Sequence, residues 1–260
     1  MLKKRLIGVV TVKDGLAVQS FGYSRYLPIG RPEFLVENLD RWGADEIVVQ
    51  VVDSNRSVDN HDFELITRLG KLGISTPLVY GGGIRSVTDA SKIIRLGADR
   101  IFLDSVLHDD MSIVEKISLK FGSQAVILSL PLCLRNDVLM HFDYKKRCLK
   151  PIESEMLDLL SGDRFHEVMA IDFENEGSPN AFCEEIVEQL PCKRNSVIAF
   201  GGISDHLQSE RILELPKVCA IAVGNFLSYQ EHAVQLRKEN INGDKLRLAA
   251  FQSNEGVVNG

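Results

Sequence analysis

The chain has 260 residues, 45% of them hydrophobic, a net charge of -6, a sequence isoelectric point near 5.6 and a mean hydropathy close to zero. That is enough apolar material for one large α/β domain or two small ones, while the acidic balance and the lack of any Lys/Arg-rich tract argue against a nucleic-acid partner. No apolar run approaches the roughly 20 residues that cross a bilayer, so no membrane role is expected. The five cysteines (Cys133, Cys148, Cys183, Cys192, Cys219) form no CxxC pair and no apolar leader precedes the first strand, which fits reduced thiols in a cytoplasmic protein.

In chain order, apolar β-rich runs alternate with amphipathic segments, the pattern of a parallel sheet covered by helices. Strands are expected at Arg5 to Val10, Glu46 to Val52, Thr76 to Tyr80, Arg100 to Leu103, Ala125 to Leu130, Glu167 to Ile171, Ser196 to Phe200 and Val218 to Val223. Helices are expected at Pro32 to Trp42, Asp62 to Leu72, Val87 to Leu96, Met111 to Phe121, Ile152 to Leu160, Ala181 to Leu190, Ser204 to Leu213 and Tyr229 to Glu239. The spacing is that of βα units.

Internal similarity points to a duplicated architecture. Gly43-Ala44-Asp45-Glu46-Ile47-Val48-Val49 resembles Gly97-Ala98-Asp99-Arg100-Ile101-Phe102-Leu103 and, more loosely, Phe165-His166-Glu167-Val168-Met169-Ala170. Val79-Tyr80-Gly81-Gly82-Gly83-Ile84-Arg85 is echoed by Ile198-Ala199-Phe200-Gly201-Gly202-Ile203, each an apolar strand closing in glycines before a helix. The expected fold is therefore a (β/α)8 TIM barrel of two half-barrels, residues 1–239, with a polar tail at 240–260. An open doubly wound sheet is the alternative, and no GxGxxG motif supports it. Glycine turns that lead into helix N-termini favour anions, so Gly82 and Gly83 in one half and Gly201, Gly202, Gly224 and Asn225 in the other are candidate phosphate sites for a phosphorylated small molecule.

Two segments fall outside the repeat. Asp14 to Arg31 is too long for an ordinary βα loop and reads as a mobile flap over the C-terminal face. Leu134 to Pro151 reads as a short hairpin. The histidines at 61, 108, 141, 166, 206 and 232 show no metal spacing, so surface or satisfied polar roles are expected, with no metal and no cofactor. Asp53, Asp104, Asp172, Glu174 and Glu176 stand at strand ends where this fold gathers catalytic groups, or cap neighbouring helices.

Lys13-Asp14-Gly15 after the first strand, Gly-Ala-Asp-Glu before the second, Gly-Gly-Gly-Ile-Arg-Ser after the third, Phe121-Gly122-Ser123-Gln124 before the fifth and Glu-Gly-Ser after the sixth together resemble the cyclase subunit of imidazole glycerol phosphate synthase (HisF) over about residues 1 to 230. The resemblance implies a barrel that takes ammonia from a glutaminase at its lower face and uses it at its upper face on a ribonucleotide with phosphates at both ends. It also implies an ammonia gate at Arg5, Glu46, Arg100 and Glu167, with arginine at 100 where lysine is usual, and a glutaminase interface at Asp99 and Gln124.

The departures lie at the other end. The family's acid and base are aspartates on strands one and five, where this chain has Thr11 and Pro131, neither of which can exchange a proton near neutral pH. A third acid position is Val51 and the family's flap lysine is Gln19. The resemblance thus implies an ammonia-channelling subunit paired with a HisH-like glutaminase, with a third amidotransferase protein supplying the acceptor, in the setting of surface-polysaccharide sugar amidation. An active cyclase of histidine biosynthesis is the alternative.

Overall fold

The first strand is apolar on both faces, so it is stable only with neighbours in front and behind. The computed structural model describes residues 3–52, 63–104, 106–144, 146–192, 196–241 and 245–248. In it β1 (Arg5–Lys13) turns into the hairpin β2 (Leu16–Phe21) and β3 (Arg25–Gly30) before α1 (Pro32–Arg41). Then follow β4 (Glu46–Val51), α2 (Phe63–Leu69), β5 (Leu78–Gly81), α3 (Val87–Arg95), β6 (Arg100–Leu103), α4 (Val106–Asp109), α5 (Ser112–Phe121) and β7 (Val126–Arg135). The second half has β8 (Val138–Asp143), β9 (Cys148–Pro151), α6 (Ser154–Ser161), β10 (Glu167–Asp172), α7 (Glu185–Gln189), β11 (Ser196–Phe200), α8 (His206–Glu214), β12 (Val218–Val223) and α9 (Ala233–Asn240).

Eight of these strands are parallel and close on themselves in the order β10, β11, β12, β1, β4, β5, β6, β7, with β7 pairing back to β10 from Glu167 opposite Ile127 to Asp172 opposite Leu132. Strand alternation splits the apolar residues into two cores. Ile7, Val9, Val48, Val79, Phe102, Ile127, Met169, Ile171, Ile198 and Phe200 fill the lumen. Leu6, Val10, Ile47 and Val49 face outward onto helices, where Val36 and Leu39 cover them. The eight-stranded barrel is as expected, and among the described residues no helix is long and apolar enough to cross a membrane.

The repeated Gly-Ala-Asp has one structural job in both places. Asp45 donates its N–H to Leu6 O (3.0 Å) and accepts Leu6 N–H on Oδ2 (2.7 Å). Asp99 does the same with Leu78, at 2.8 Å each way. Each aspartate thereby satisfies the first backbone groups of the neighbouring strand, which would otherwise lack partners.

Several boundaries differ from expectation, two of them where an aspartate captures a backbone N–H. The third barrel strand starts at Leu78 rather than Thr76, since Asp40 Oδ1 accepts from Ser75 N (3.0 Å), Thr76 N (2.9 Å) and Thr76 Oγ1 (2.8 Å). The helix expected from Ala181 begins only at Glu185, because Ala181 N–H bonds Gly202 O and Cys183 N–H bonds Asp172 Oδ2. The last helix starts at Ala233 rather than Tyr229, after a 3-10 turn at Asn225–Leu227 and His232 with φ of 57°.

The flap expected at Asp14 to Arg31 contains an ordered antiparallel hairpin, β2 on β1 and β3 on β2. The segment Leu134 to Pro151 holds the extension of β7 with β8 and β9, a three-stranded antiparallel sheet. Beyond α9, Ile241 and Leu246 are buried, and Lys245 O and Arg247 N–H bond the backbone of Lys4 (2.8 and 3.1 Å). The remainder of the tail, from residue 249, lies outside the described residues.

Candidate functional site

Each strand that bears a candidate gate residue begins with it, so the four side chains arrive at one level, the N-terminal mouth of the barrel. Arg5 donates from Nη1 to Glu46 Oε2 (2.9 Å) and from Nη2 to Glu167 Oε1 (2.5 Å). Arg100 donates from Nη1 to Glu46 Oε1 (2.9 Å) and Glu167 Oε2 (2.7 Å). The result is a closed ring of alternating charge, with side chains 14% exposed for both arginines and 3% and 6% for Glu46 and Glu167. Burial raises the Glu167 carboxyl, but Arg100 and Arg5 outweigh it and hold the group below its usual range. Burial lowers Arg5, yet Glu167 and Glu46 overcome that and bind its proton more tightly than usual.

Cys219 joins the ring, its Sγ lying 3.2 Å from Arg5 Nη2 and 3.5 Å from Glu167 Oε1. Burial and the Glu167 charge push its thiol up to about 12. Asp99 and Gln124 are both exposed beside the ring, and the Gln124 carbonyl accepts from Arg100 Nε at 2.8 Å.

Above the ring the lumen is apolar except for the buried Ser129, opposite Met169, up to the C-terminal mouth, where Tyr23 and Phe173 pack on the same core. There Gln50 Nε2 donates to Thr11 Oγ1 (2.8 Å), and the Gln50 amide also meets the Tyr23 hydroxyl, Nε2 at 3.1 Å and Oε1 at 3.3 Å. Pro131 is buried opposite Ile171, Gln19 sits within the hairpin opposite Leu27, and Val51 packs where a Cβ on Gly82 would come within 2.6 Å. The hairpin is anchored across the mouth. Ser20 N–H donates to Asn225 Oδ1 (3.0 Å), Asn225 Nδ2 donates to Ser20 O (2.5 Å), and Ser20 Oγ and Tyr23 N–H both donate to Glu176 Oε2 (2.9 and 3.4 Å). Burial raises the Glu176 carboxyl and, with the Glu176 charge beside it, the Tyr23 phenol.

The second glycine cluster forms a narrow cleft, with room for little more than a water molecule, lined by Gly201, Gly202, Gly224, Asn225 and Glu176. Gly201 (φ +103°) and Gly202 (φ +76°) cannot be replaced freely, since added Cβ atoms would lie 2.5 Å from Asp172 O and 2.8 Å from Phe182 N. Helix N-termini do not supply the donors expected from the sequence: Ser86 caps α3 by accepting from Asp89 N, and Asp205 caps α8 by accepting from Gln208 N. The Asn225 side chain is spent on Ser20, so only main-chain donors of the loops remain for an anion. Gly82 and Gly83 lie at the end of β5, with φ of +145° and +67°.

Asp53 and His61 lie outside the described residues. Asp172 is buried, accepts from Asn175 Nδ2 (2.8 Å) and Cys183 N–H, and is raised by that burial; Glu174 pairs with Arg135. Asp104 meets His108 Nε2 at 3.3 Å. His108 and His141 are buried and stacked, ring centroids 5.1 Å apart, rather than surface groups, and burial lowers His141 to about 4. No His/Cys/Asp/Glu group among the described residues has the makings of a metal site. Sequence reasoning missed Tyr23, Ser20 and Cys219; the polar Gln50 inside the run Glu-Ile-Val-Val-Gln-Val was the available signal for a partner at the mouth.

Residues 5–233 match the family described as "Histidine biosynthesis protein". A Campylobacter jejuni protein provisionally named imidazole glycerol phosphate synthase subunit hisF2 is 32% identical over 206 residues, 78% of this chain and 82% of that protein. A Vibrio vulnificus protein with the same provisional name is 26% identical over 253 residues (95% and 92%), and the imidazole glycerol phosphate synthase subunit HisF of an Exiguobacterium species is 25% identical over 242 residues (90% and 92%). With its closed eight-stranded barrel and a match over most of its length, this chain belongs to the histidine biosynthesis protein family as a divergent HisF-like member.

Proposed function

We propose that the chain receives ammonia from a HisH-like glutaminase and passes it through the barrel to an acceptor at the upper mouth, in the cytoplasm, as part of sugar amidation for a surface polysaccharide. The observation that carries this reading is the ring of Arg5, Glu46, Arg100 and Glu167 beneath a lumen that is apolar but for Ser129. Neutral ammonia crosses such a lumen at small cost, whereas ammonium would lose its hydration without a counter-charge. The ring's four charges neutralise one another, so it closes the entrance without presenting a net charge to the passing molecule. Asp99 and Gln124, exposed beside it, offer the glutaminase a docking edge.

At the exit, Thr11 and Pro131 leave β1 and β7 without the carboxylates that opening and closing a ribonucleotide skeleton requires. The acceptor is therefore held by a third protein, and the glycine loops at Gly82, Gly83, Gly201, Gly202, Gly224 and Asn225 retain a phosphorylated ligand through backbone donors. The decisive experiment mixes the chain with a HisH-like glutaminase and follows glutamine hydrolysis. Stimulation, or coupling of hydrolysis to sugar amidation, supports transfer; no binding at micromolar concentration removes it.

The second reading, an active cyclase of histidine biosynthesis, is favoured by the synthase names of the relatives. It requires turnover of the phosphoribosyl ribonucleotide with ammonium salts supplied directly. Folded protein that gives none, beside an ordinary cyclase that does, eliminates it.

A further inference from the structure

We propose that the cleft between α4, the β8–β9 hairpin and the start of α6 binds a small organic cation through a primary ammonium group. It shares no lining residue with the ring or with the upper mouth, so it stands independently of the proposed conduit. Successive residues of β8 face opposite ways. Phe142 stacks on Phe173 at the mouth, ring centroids 4.7 Å apart, while its neighbours His141 and Asp143 line the cleft together with His108 of α4. The cavity measures about 370 Å³, which suits a small molecule. Its floor lacks one partner. His141 is 6% exposed and its Nε2 makes no hydrogen bond, a state that costs free energy unless a ligand supplies one.

The kind of ligand follows from the surroundings. Burial, then the neighbouring His108, lower His141 to about 4, so at neutral pH its ring is uncharged and can hold a lone pair at Nε2 for a donor. Asp143 is already held by Lys150 Nζ (2.9 Å) and Lys146 N–H (3.0 Å) and does not fill the gap. A metal ion is not the occupant: the His108 and His141 rings lie 6° from parallel and do not converge, and no His/Cys/Asp/Glu group among the described residues could hold one. Glu153 and Glu155 at the start of α6 and Asp109 and Asp110 at the end of α4 complete the rim, against Lys146 and the Asp143-bound Lys150. Arg85 and Lys116 approach Asp109 and Asp110 only to 4.0 Å, and neither lines the cleft. Carboxylates thus outnumber cations, and an ammonium group gains both their field and the imidazole acceptor. The first turn of α6 has no side-chain cap, which by itself favours an anion, but Glu153 and Glu155 stand on that turn and offset it.

The test uses three probes on the full chain with 13C-labelled histidine: putrescine, choline, whose cationic nitrogen carries no N–H, and inorganic phosphate. The His141 signal is identified by its loss in His141→Phe, which keeps an aromatic ring on His108. Millimolar putrescine at pH 7 should shift that signal saturably. By calorimetry, His141→Phe should weaken putrescine binding about tenfold, the effect of one lost charge-assisted hydrogen bond, and choline should bind the native chain more weakly by a similar factor. Glu155→Gln, at an exposed position, should weaken putrescine binding at low salt and make less difference at high salt, which decides the matter if His141→Phe does not fold. A His141 signal that putrescine does not move overturns the site, as does unchanged affinity in either folded variant. Choline binding as tightly as putrescine overturns the role of Nε2, and a shift driven by phosphate in place of putrescine overturns the cation.

Discussion

Gln50 Nε2 donates to the Thr11 hydroxyl at 2.8 Å, so the inward position at the upper end of β1 is occupied by an uncharged hydrogen-bonded pair. The pair is buried, and Tyr23 from the hairpin completes it. Thr11→Val removes the acceptor but leaves Gln50 its contact with Tyr23. The expected cost is about 1 kcal/mol, measured by urea unfolding. A neutral result would mean that the contact contributes nothing to the closed mouth.

The ring responds differently to losing a member. Glu167→Ala strips one partner from each arginine while Glu46 still bridges both, and should cost about 3 kcal/mol. That is within the margin of an ordinary domain, so the barrel should stay folded with altered coupling to a glutaminase. Circular dichroism and urea midpoints of the two proteins check the first part, and the ratio of glutamine hydrolysed to acceptor amidated checks the second.

Acid should erase the same contribution. The folded Glu167 carboxyl lies below its unfolded value of about 4.5, so its stabilisation is present above that pH and is lost as the pH falls through the folded value. The stability difference between the native chain and Glu167→Gln should therefore be largest near neutrality and shrink at pH 3. A constant difference between pH 7 and pH 3 would contradict the charge-pairing account.

Glu176 carries the opposite sign. Burial raises its folded value above the unfolded one, so its contribution is greatest below about pH 4.5 and declines as pH rises through the folded value. Glu176→Gln keeps an oxygen for Ser20 and Tyr23 and removes the buried charge. Relative to the native chain it should gain stability as the pH rises above about 4.5 and level off once the pH passes the folded value, as read by thermal unfolding. A gain that disappears with rising pH would reverse the assignment.

Backbone donors in the second glycine cluster give a simpler test. Inorganic phosphate at millimolar concentration should raise the melting temperature of the native chain, and Gly202→Ala should abolish the rise, since its Cβ would crowd Phe182 N and Asn175 O. The same rise in both proteins would place the anion elsewhere.

The eight barrel strands were legible because strands covered on both faces are written as unbroken apolar runs, as in Ile198-Ala199-Phe200 or Val218 to Val223. The ring residues were legible through the family resemblance, and in the fold each of the four stands at the start of such a run, at the rim. What could not be read depends on pairs distant in sequence. Ser20 and Asn225 are 205 residues apart, and nothing local to either announces that they clasp. Gly15, Gly22, Pro28 and Gly30 read as the punctuation of a loop over the mouth, whereas pairing to the end of β1 makes those residues turns and strand edges of a hairpin. The start of β5 shifted where Asp40 claimed backbone N–H groups and that of α7 where Asp172 did, a competition no propensity scale contains.

The bridge between Lys4 and Leu246 holds together two segments far apart in sequence beneath the barrel, one residue before Arg5. The strand carrying the first arginine of the ring is therefore strapped in place by a segment that follows every barrel strand in the sequence, and its register at the lower rim is complete only when that segment has docked. Loss of that bridge, as in Leu246→Ser, would loosen the lower rim while sparing the barrel walls.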